Sequence, residues 1–143
     1  MIRSVACFLL AIFLYGPTLA PPSAATSQFM QSKIGTKNYR LEVADTAARR
    51  ARGLAQRLFM KNNAGMIFLL PYPAKHNFVM AGMSFPLDFI WLLDNKVIDL
   101  TANVPAVANL ILAPKEKVNR VIELNAGEIS KSGIKIGSII RLK

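Results

Sequence analysis

Tyr39, Leu41 and Val43 alternate with Arg40, Glu42 and Ala44, the two-residue period of a half-buried strand. Lys33-Ile34 is read as its hairpin partner across Gly35 to Asn38. After Asp45-Thr46, a helix-capping pair, Ala47, Ala48, Ala51, Leu54, Ala55 and Leu58 recur every three or four residues. That spacing predicts an amphipathic helix of roughly three turns, with Arg49, Arg50 and Arg57 on its polar face. Gly53 falls in its middle, where it costs about 1 kcal/mol relative to Ala, so a close neighbour is expected there. Gly65 to Leu70 is an unbroken apolar run, a buried strand ended by Pro71-Tyr72-Pro73 and paired with Phe78 to Ala81. Leu87 to Leu93 and Lys96 to Thr101 flank Asp94-Asn95, a two-residue hairpin turn. Asn103 to Lys117 reads as a surface loop, unusually apolar at Leu110-Ile111-Leu112. Val118 to Leu124 is a further strand. Asn125 with Glu128 three residues on forms a capping box for a short helix stopped at Gly133. Ile134 to Leu142 is a last strand bent at Gly137. Strands and helices do not alternate. The fold class is α+β: a compact β-rich domain of six to eight short, mostly antiparallel strands, able to curl into a barrel, with two short helices.

The N-terminus departs from this pattern. Arg3, the uncharged run Val5 to Tyr15 and the small residues Ser23-Ala24-Ala25 form a secretory signal pattern over residues 1–25. The apolar run is too short to span a bilayer, which needs roughly 20 residues; retention as an anchor is the alternative. Residues 26–30 are expected to be a disordered linker and residues 31–143 a single globular domain. The expected compartment is the periplasm or the extracellular space, with no transmembrane span in the mature chain. Cys7, the only cysteine, lies in the signal, which excludes disulfides and thiolate metal sites from the mature protein. In the 143-residue chain, 52% of residues are hydrophobic, enough to fill a core, and 18 Lys+Arg against 8 Asp+Glu give a formal charge of +10. That excess favours anionic partners or surfaces. Export and the lack of aromatics among the helix charges argue against nucleic acid.

Chemistry is sparse. One His and scattered carboxylates supply no zinc set, and no cofactor motif is present. His76 has Ser84 eight residues away and no visible orienting acid, so it reads as a surface or rim residue. Asp88 is the carboxylate of interest. Strand alternation places it with Ile90 and Leu92, opposite Leu87, Phe89 and Trp91, so it is expected to be buried and to need a partner. No acid occurs from Thr46 to Leu87, while Arg49, Arg50, Arg52, Arg57, Lys61 and Lys75 do. Arg52 or Arg57 is the expected partner, as a structural ion pair or as a ligand-positioning pair at a pocket rim.

Four blocks in this order carry a family resemblance. They are Leu41-Glu42-Val43-Ala44-Asp45-Thr46 with Arg50, Arg52-Gly53-Leu54 and Arg57; Gly65-Met66-Ile67-Phe68; Phe78, Met80 and Pro86-Leu87-Asp88; and Glu123 to Gly127 with Gly133 to Gly137. The chain resembles the exported family known as domain of unknown function 192 from about Tyr39 to Leu142. The resemblance implies a small β-rich α+β domain and no established activity, with ligand binding, carbohydrate included, as its functional suggestion. The family's third block usually reads Phe-Trp-Met-Lys-Asn-Thr. Here the Trp is Val79 and Lys-Asn-Thr is Ala81-Gly82-Met83, so a site built there is emptied or retuned to something apolar. Ala55 and Ser138 replace a Met and an Asp.

These readings converge on an exported domain with a non-catalytic binding or accessory role in the cell envelope. Its ligand would be a carbohydrate or another anionic envelope component. The expected pocket lies between the Met80–Asp88 segment and the helix arginines, with Arg50, Arg52, Arg57, Met80 and Asp88 as binding residues and no metal. Two alternatives stand: an enzyme using Asp88 with an Arg or Lys, and a structural partner in an envelope complex, docked through Leu110-Ile111-Leu112 or the basic helix.

Overall fold

The structure is a computed structural model that describes residues 27–143. The expected signal segment and Cys7 lie outside the described residues. Nine strands and two helices follow in order: β1 (Phe29–Ile34), β2 (Lys37–Ala44), α1 (Ala47–Arg52), β3 (Ala64–Ala74), β4 (Phe78–Val79), β5 (Leu87–Leu93), β6 (Lys96–Val104), β7 (Ile111–Leu112), β8 (Val118–Asn125), α2 (Glu128–Ser132) and β9 (Arg141–Leu142). This is the expected β-rich α+β domain.

Seven strands form one sheet in the order β6-β5-β8-β3-β2-β1-β9, and β4 and β7 form a separate pair. Only β2 and β3 run parallel in the large sheet. A parallel pair needs a crossover, and residues 45–63, with α1, provide it. The rest of the sheet is antiparallel. Its two edges are tied together by residues 137–140. The Gly137 amide donates to the Val97 carbonyl at 2.8 Å, the Val97 amide to Ser138 at 2.9 Å and the Ile140 amide to Asn95 at 2.8 Å. The chain then continues as β9 onto β1, which curls the sheet around its inner face.

Strand alternation gives that sheet two buried faces. The concave face holds Tyr39, Leu41, Val43, Ile67, Ile90, Leu92, Ile122 and Leu124 with Ile34 and Ile140. The convex face carries Met66, Phe68, Leu87, Phe89, Trp91 and Val121, covered by Leu54, Met80 and Val104. Phe78 of β4 is the keystone of that cover. Its ring meets Phe68, Phe89 and Trp91 edge-on at centroid distances of 5.1, 6.1 and 5.4 Å, a favoured aromatic geometry. The Trp91 indole N–H donates to Thr101 at 2.9 Å.

Several local expectations change. β1 starts at Phe29, inside the predicted linker, because Phe29 and Met30 pair with Glu42 and Leu41. The β1–β2 turn is only Gly35-Thr36. Gly35 has φ +58°, and a Cβ there would sit 2.0 Å from the Ser132 carbonyl oxygen. The first helix ends at Arg52 instead of running to Leu58. Thr46 caps it by accepting from the Arg49 amide at 3.2 Å, and Gly53 takes a positive φ that stops it. Its alanines face solvent while Arg49 and Arg50 are half-buried, the reverse of the predicted orientation. The Arg50 guanidinium donates to the Asp45 and Leu69 carbonyls at 2.6 and 3.0 Å, and Arg49 pairs with Asp45. Those bonds to the sheet outweigh the burial of three small methyl groups. β3 continues through Pro71-Tyr72-Pro73, irregularly, until Ala74 pairs with Val118. Phe78 to Ala81 does not pair with β3; β4 pairs with β7, which explains why Leu110-Ile111-Leu112 is apolar. The capping box does not form. Gly127 is the N-cap of α2, and the Asn125 amide group instead donates to Met60.

Candidate functional site: a cavity floored by a buried glutamate

The cover over the convex face leaves a cavity of about 370 Å³. One wall is the end of α1 and the turn after it, from Arg50 to Ala55. The other is the segment from His76 to Met83. Phe68 and Leu70 of β3, Leu87 of β5 and Glu123 of β8 form the floor. The walls are zipped together where the Gln56 amide donates to the Gly82 carbonyl at 2.8 Å.

Glu123 arises from a plain alternation. Ile122 and Leu124 turn into the concave core, so Val121 and Glu123 turn to the convex face. There Glu123 lies in one row across the sheet with Glu42, Met66, Phe89 and Thr101. Both its immediate strand neighbours are apolar. The residue is 6% exposed, and its carboxyl makes no hydrogen bond to any described residue. Burial pushes its pKa up to about 8, against a smaller opposing pull from Arg57. At neutral pH it is therefore a protonated, donor-competent acid opening into the cavity. The run Val121-Ile122-Glu123-Leu124 held this signal: an acid within an otherwise apolar strand.

Asp88 behaves differently. It is fully buried and faces the concave side, away from the cavity. Its expected arginine partner is absent. Oδ1 accepts from the Asn103 amide and Oδ2 from the Ile129 amide, each at 2.7 Å. Arg57 instead reaches Glu42 at 2.8 Å, and Arg52 makes no hydrogen bond or ion pair with any described residue. Met80 is buried in the convex core. Of the five sequence-predicted residues, Arg50 and Arg52 line the cavity; Arg57, Met80 and Asp88 do not. His76 lies at the rim as expected, its Nε2 2.8 Å from the Tyr72 carbonyl. Val79, Ala81 and Met83, which stand where the resembled family carries large or polar residues, do line it. Among the described residues no group of His, Cys, Asp or Glu could hold a metal ion, and no helix is long and apolar enough to cross a membrane.

A second carboxylate does structural work on the concave side. Glu128 at the start of α2 accepts from Tyr39 Oη at 2.6 Å and from Lys131 at 3.1 Å, and pairs with Lys37. Burial raises its pKa, but the bonds from Lys37, Tyr39 and Lys131 outweigh it and hold the pKa at about 2. Tyr39 moves the other way, well above the usual phenol value, through burial and then its bond to Glu128.

A curled, mostly antiparallel sheet with one crossover helix and a covered convex face defines a small β-rich α+β domain. The chain belongs to the DUF192 family, described as "Uncharacterized ACR", which matches residues 30–142. A crystal structure of a protein of unknown function from Novosphingobium aromaticivorans DSM 12444 is similar, with 27% identity, TM-score 0.72, and 95% of this chain and 99% of that one covered. A candidate transcription regulator from Sinorhizobium meliloti 1021 shares the fold at 22% identity and TM-score 0.74, over 82% of this chain and 94% of that one. No curated protein matches.

Proposed function

We propose that the protein is an exported, non-catalytic binding domain of the cell envelope, with its ligand seated in the cavity over Glu123. One observation carries this reading: Glu123, a largely buried residue set between apolar neighbours, opens its carboxyl into a cavity of molecular size and makes no hydrogen bond to any described residue. The carboxyl oxygens are not sealed in the core, so a ligand atom in the cavity can reach them and take up their free hydrogen-bonding capacity. The Arg3, Val5–Tyr15 and Ser23-Ala24-Ala25 pattern supports export. A thermal-shift screen of the purified protein against sugars, phosphates and envelope fragments tests the binding role. A ligand is expected to raise the melting temperature, and Ala81→Trp, which fills the mouth, should abolish the rise. A shift that survives Ala81→Trp, or no shift at all, would overturn the reading. Recovery of a chain beginning near residue 26 from the periplasmic or extracellular fraction tests the export.

The enzyme alternative required Asp88 exposed in a cleft. With both oxygens of Asp88 occupied by backbone amides, the observations favour binding.

A further inference from the structure

We infer that the cavity takes a small organic anion with an apolar body, whose charge is drawn by Arg52 and one of whose oxygens accepts a hydrogen bond from the Glu123 carboxyl. The inference rests on the binding role proposed above and names the ligand class.

Three observations lead to it. The first is charge. Arg50 and Arg52 border the cavity, and Arg57 acts on Glu123 from beside it. The Arg50 guanidinium is engaged by two carbonyls and Arg57 by Glu42. Arg52 alone has its guanidinium uncommitted among the described residues. Glu123 is the only acid on the cavity surface among the described residues, and burial favours its neutral form at neutral pH. A cation would find no counter-charge there; an anion finds an available guanidinium.

The second is the floor and walls. Phe68, Phe78 and Leu87 supply apolar surface. A sugar carries a hydroxyl on nearly every carbon, and each would need a partner that these side chains lack. A ligand with an apolar body loses nothing against them.

The third is the Glu123 carboxyl itself. As a neutral acid it donates one hydrogen bond, and an anionic oxygen is the strongest acceptor it could meet. Once ionised it would repel the same ligand. The groups facing it are Arg57 from the α1–β3 connection, Arg50 and Arg52 at the end of α1, and His76 across the cavity. Glu42 lies two strands away in the same row. Burial raises the pKa of the Glu123 carboxyl to about 8.

The test is calorimetry on the purified protein with benzoate, inorganic phosphate and glucose at pH 7 and pH 9.5. Benzoate is ionised throughout this range. It is expected to bind at least tenfold more tightly than phosphate or glucose at pH 7, and to weaken about thirtyfold by pH 9.5 as Glu123 loses its proton. Glu123→Gln should bind with equal affinity at the two pH values, and Arg52→Ala should weaken benzoate at both. Benzoate affinity that does not change with pH, or that changes equally in Glu123→Gln, overturns the inference. If glucose or phosphate binds, is blocked by Ala81→Trp, and benzoate does not bind, this ligand class falls while the binding role stands. If neither these probes nor the wider screen binds, both fall.

Discussion

Asp88 Oδ2 accepts a hydrogen bond from the amide of Ile129 at 2.7 Å, so a carboxylate in the middle of β5 satisfies the N-terminal turn of α2. The first amides of a helix have no partner within it, and α2 has no side-chain cap of its own. The other oxygen of Asp88 holds Asn103, whose φ of +54° is unusual for a non-glycine residue. One side chain therefore fixes both α2 and the end of β6.

Asp88→Ala is expected to cost about 3–5 kcal/mol, because it removes a fully buried carboxylate that holds two part-buried N–H donors. Asp88→Asn should recover less than half of that. Its amide can accept at one oxygen only and presents a donor to the second N–H. Urea unfolding of the three proteins checks this; a loss below about 1 kcal/mol in Asp88→Ala would mean that the two amides find other partners.

Glu123 makes the fold sensitive to alkali. Its folded pKa is raised from 4.5 to about 8, so the folded state holds the proton more tightly than the unfolded state. Stability is highest below about 4.5, declines as pH rises between 4.5 and 8, and stays at its lower value above. The full effect is on the order of 3–5 kcal/mol, taking 1.36 kcal/mol per pH unit. Glu123→Gln should be clearly more stable than the parent at pH 9 and within about 1 kcal/mol of it at pH 5. A parent protein equally stable at both pH values would contradict this.

Glu128 works in the opposite sense. With a folded pKa of about 2 against 4.5, its contribution is present above pH 4.5 and is lost as pH falls toward 2. Lys37 and Lys131 reach it from solvent, so screening limits the contribution to about 1–2 kcal/mol. Glu128→Gln should flatten the acid limb of a plot of melting temperature against pH, with little change at pH 8.

Phe78→Ala removes the ring that locks the β4–β7 pair onto Phe68, Phe89 and Trp91. A loss of about 3–4 kcal/mol is expected. Trp91 is the only tryptophan, so its emission should shift to the red as water enters. Unchanged emission would show that the cover closes without the ring.

Much of this architecture was legible in the residues. The Asp94-Asn95 turn, the two faces of β5 and the stop at Gly133 followed from alternation and turn chemistry, and all three are present. Burial of Asp88 followed too, but its partner did not. Arginines can be counted along a chain, whereas the backbone amides of Asn103 and Ile129 are silent in sequence. The α1 face was misread for a related reason. Periodicity located a stripe of alanines, yet small side chains gain little from burial. Asp45, Thr46 and the carbonyl of Leu69 decide the orientation by anchoring the arginines. The cavity was approached from the correct segments, with Arg50 and Arg52 on its wall, but its floor depends on which strand lies beside β3. That neighbour, β8, comes 44 residues after β3 ends, beyond the reach of local pattern.

The seam made by residues 137–140 and β9 also has a temporal meaning. Until that stretch emerges during synthesis, the outer edges of β1 and β6 have no partner, and unpaired edges invite wrong pairing. The Gln31 and Lys143 backbones exchange two hydrogen bonds of 2.9 Å, so closure joins β1 to a segment that lies more than a hundred residues further along the chain. The sheet therefore cannot close during synthesis until residues 137–143 are free to pair with both of its edges, so its closure is a late, long-range step rather than a local one.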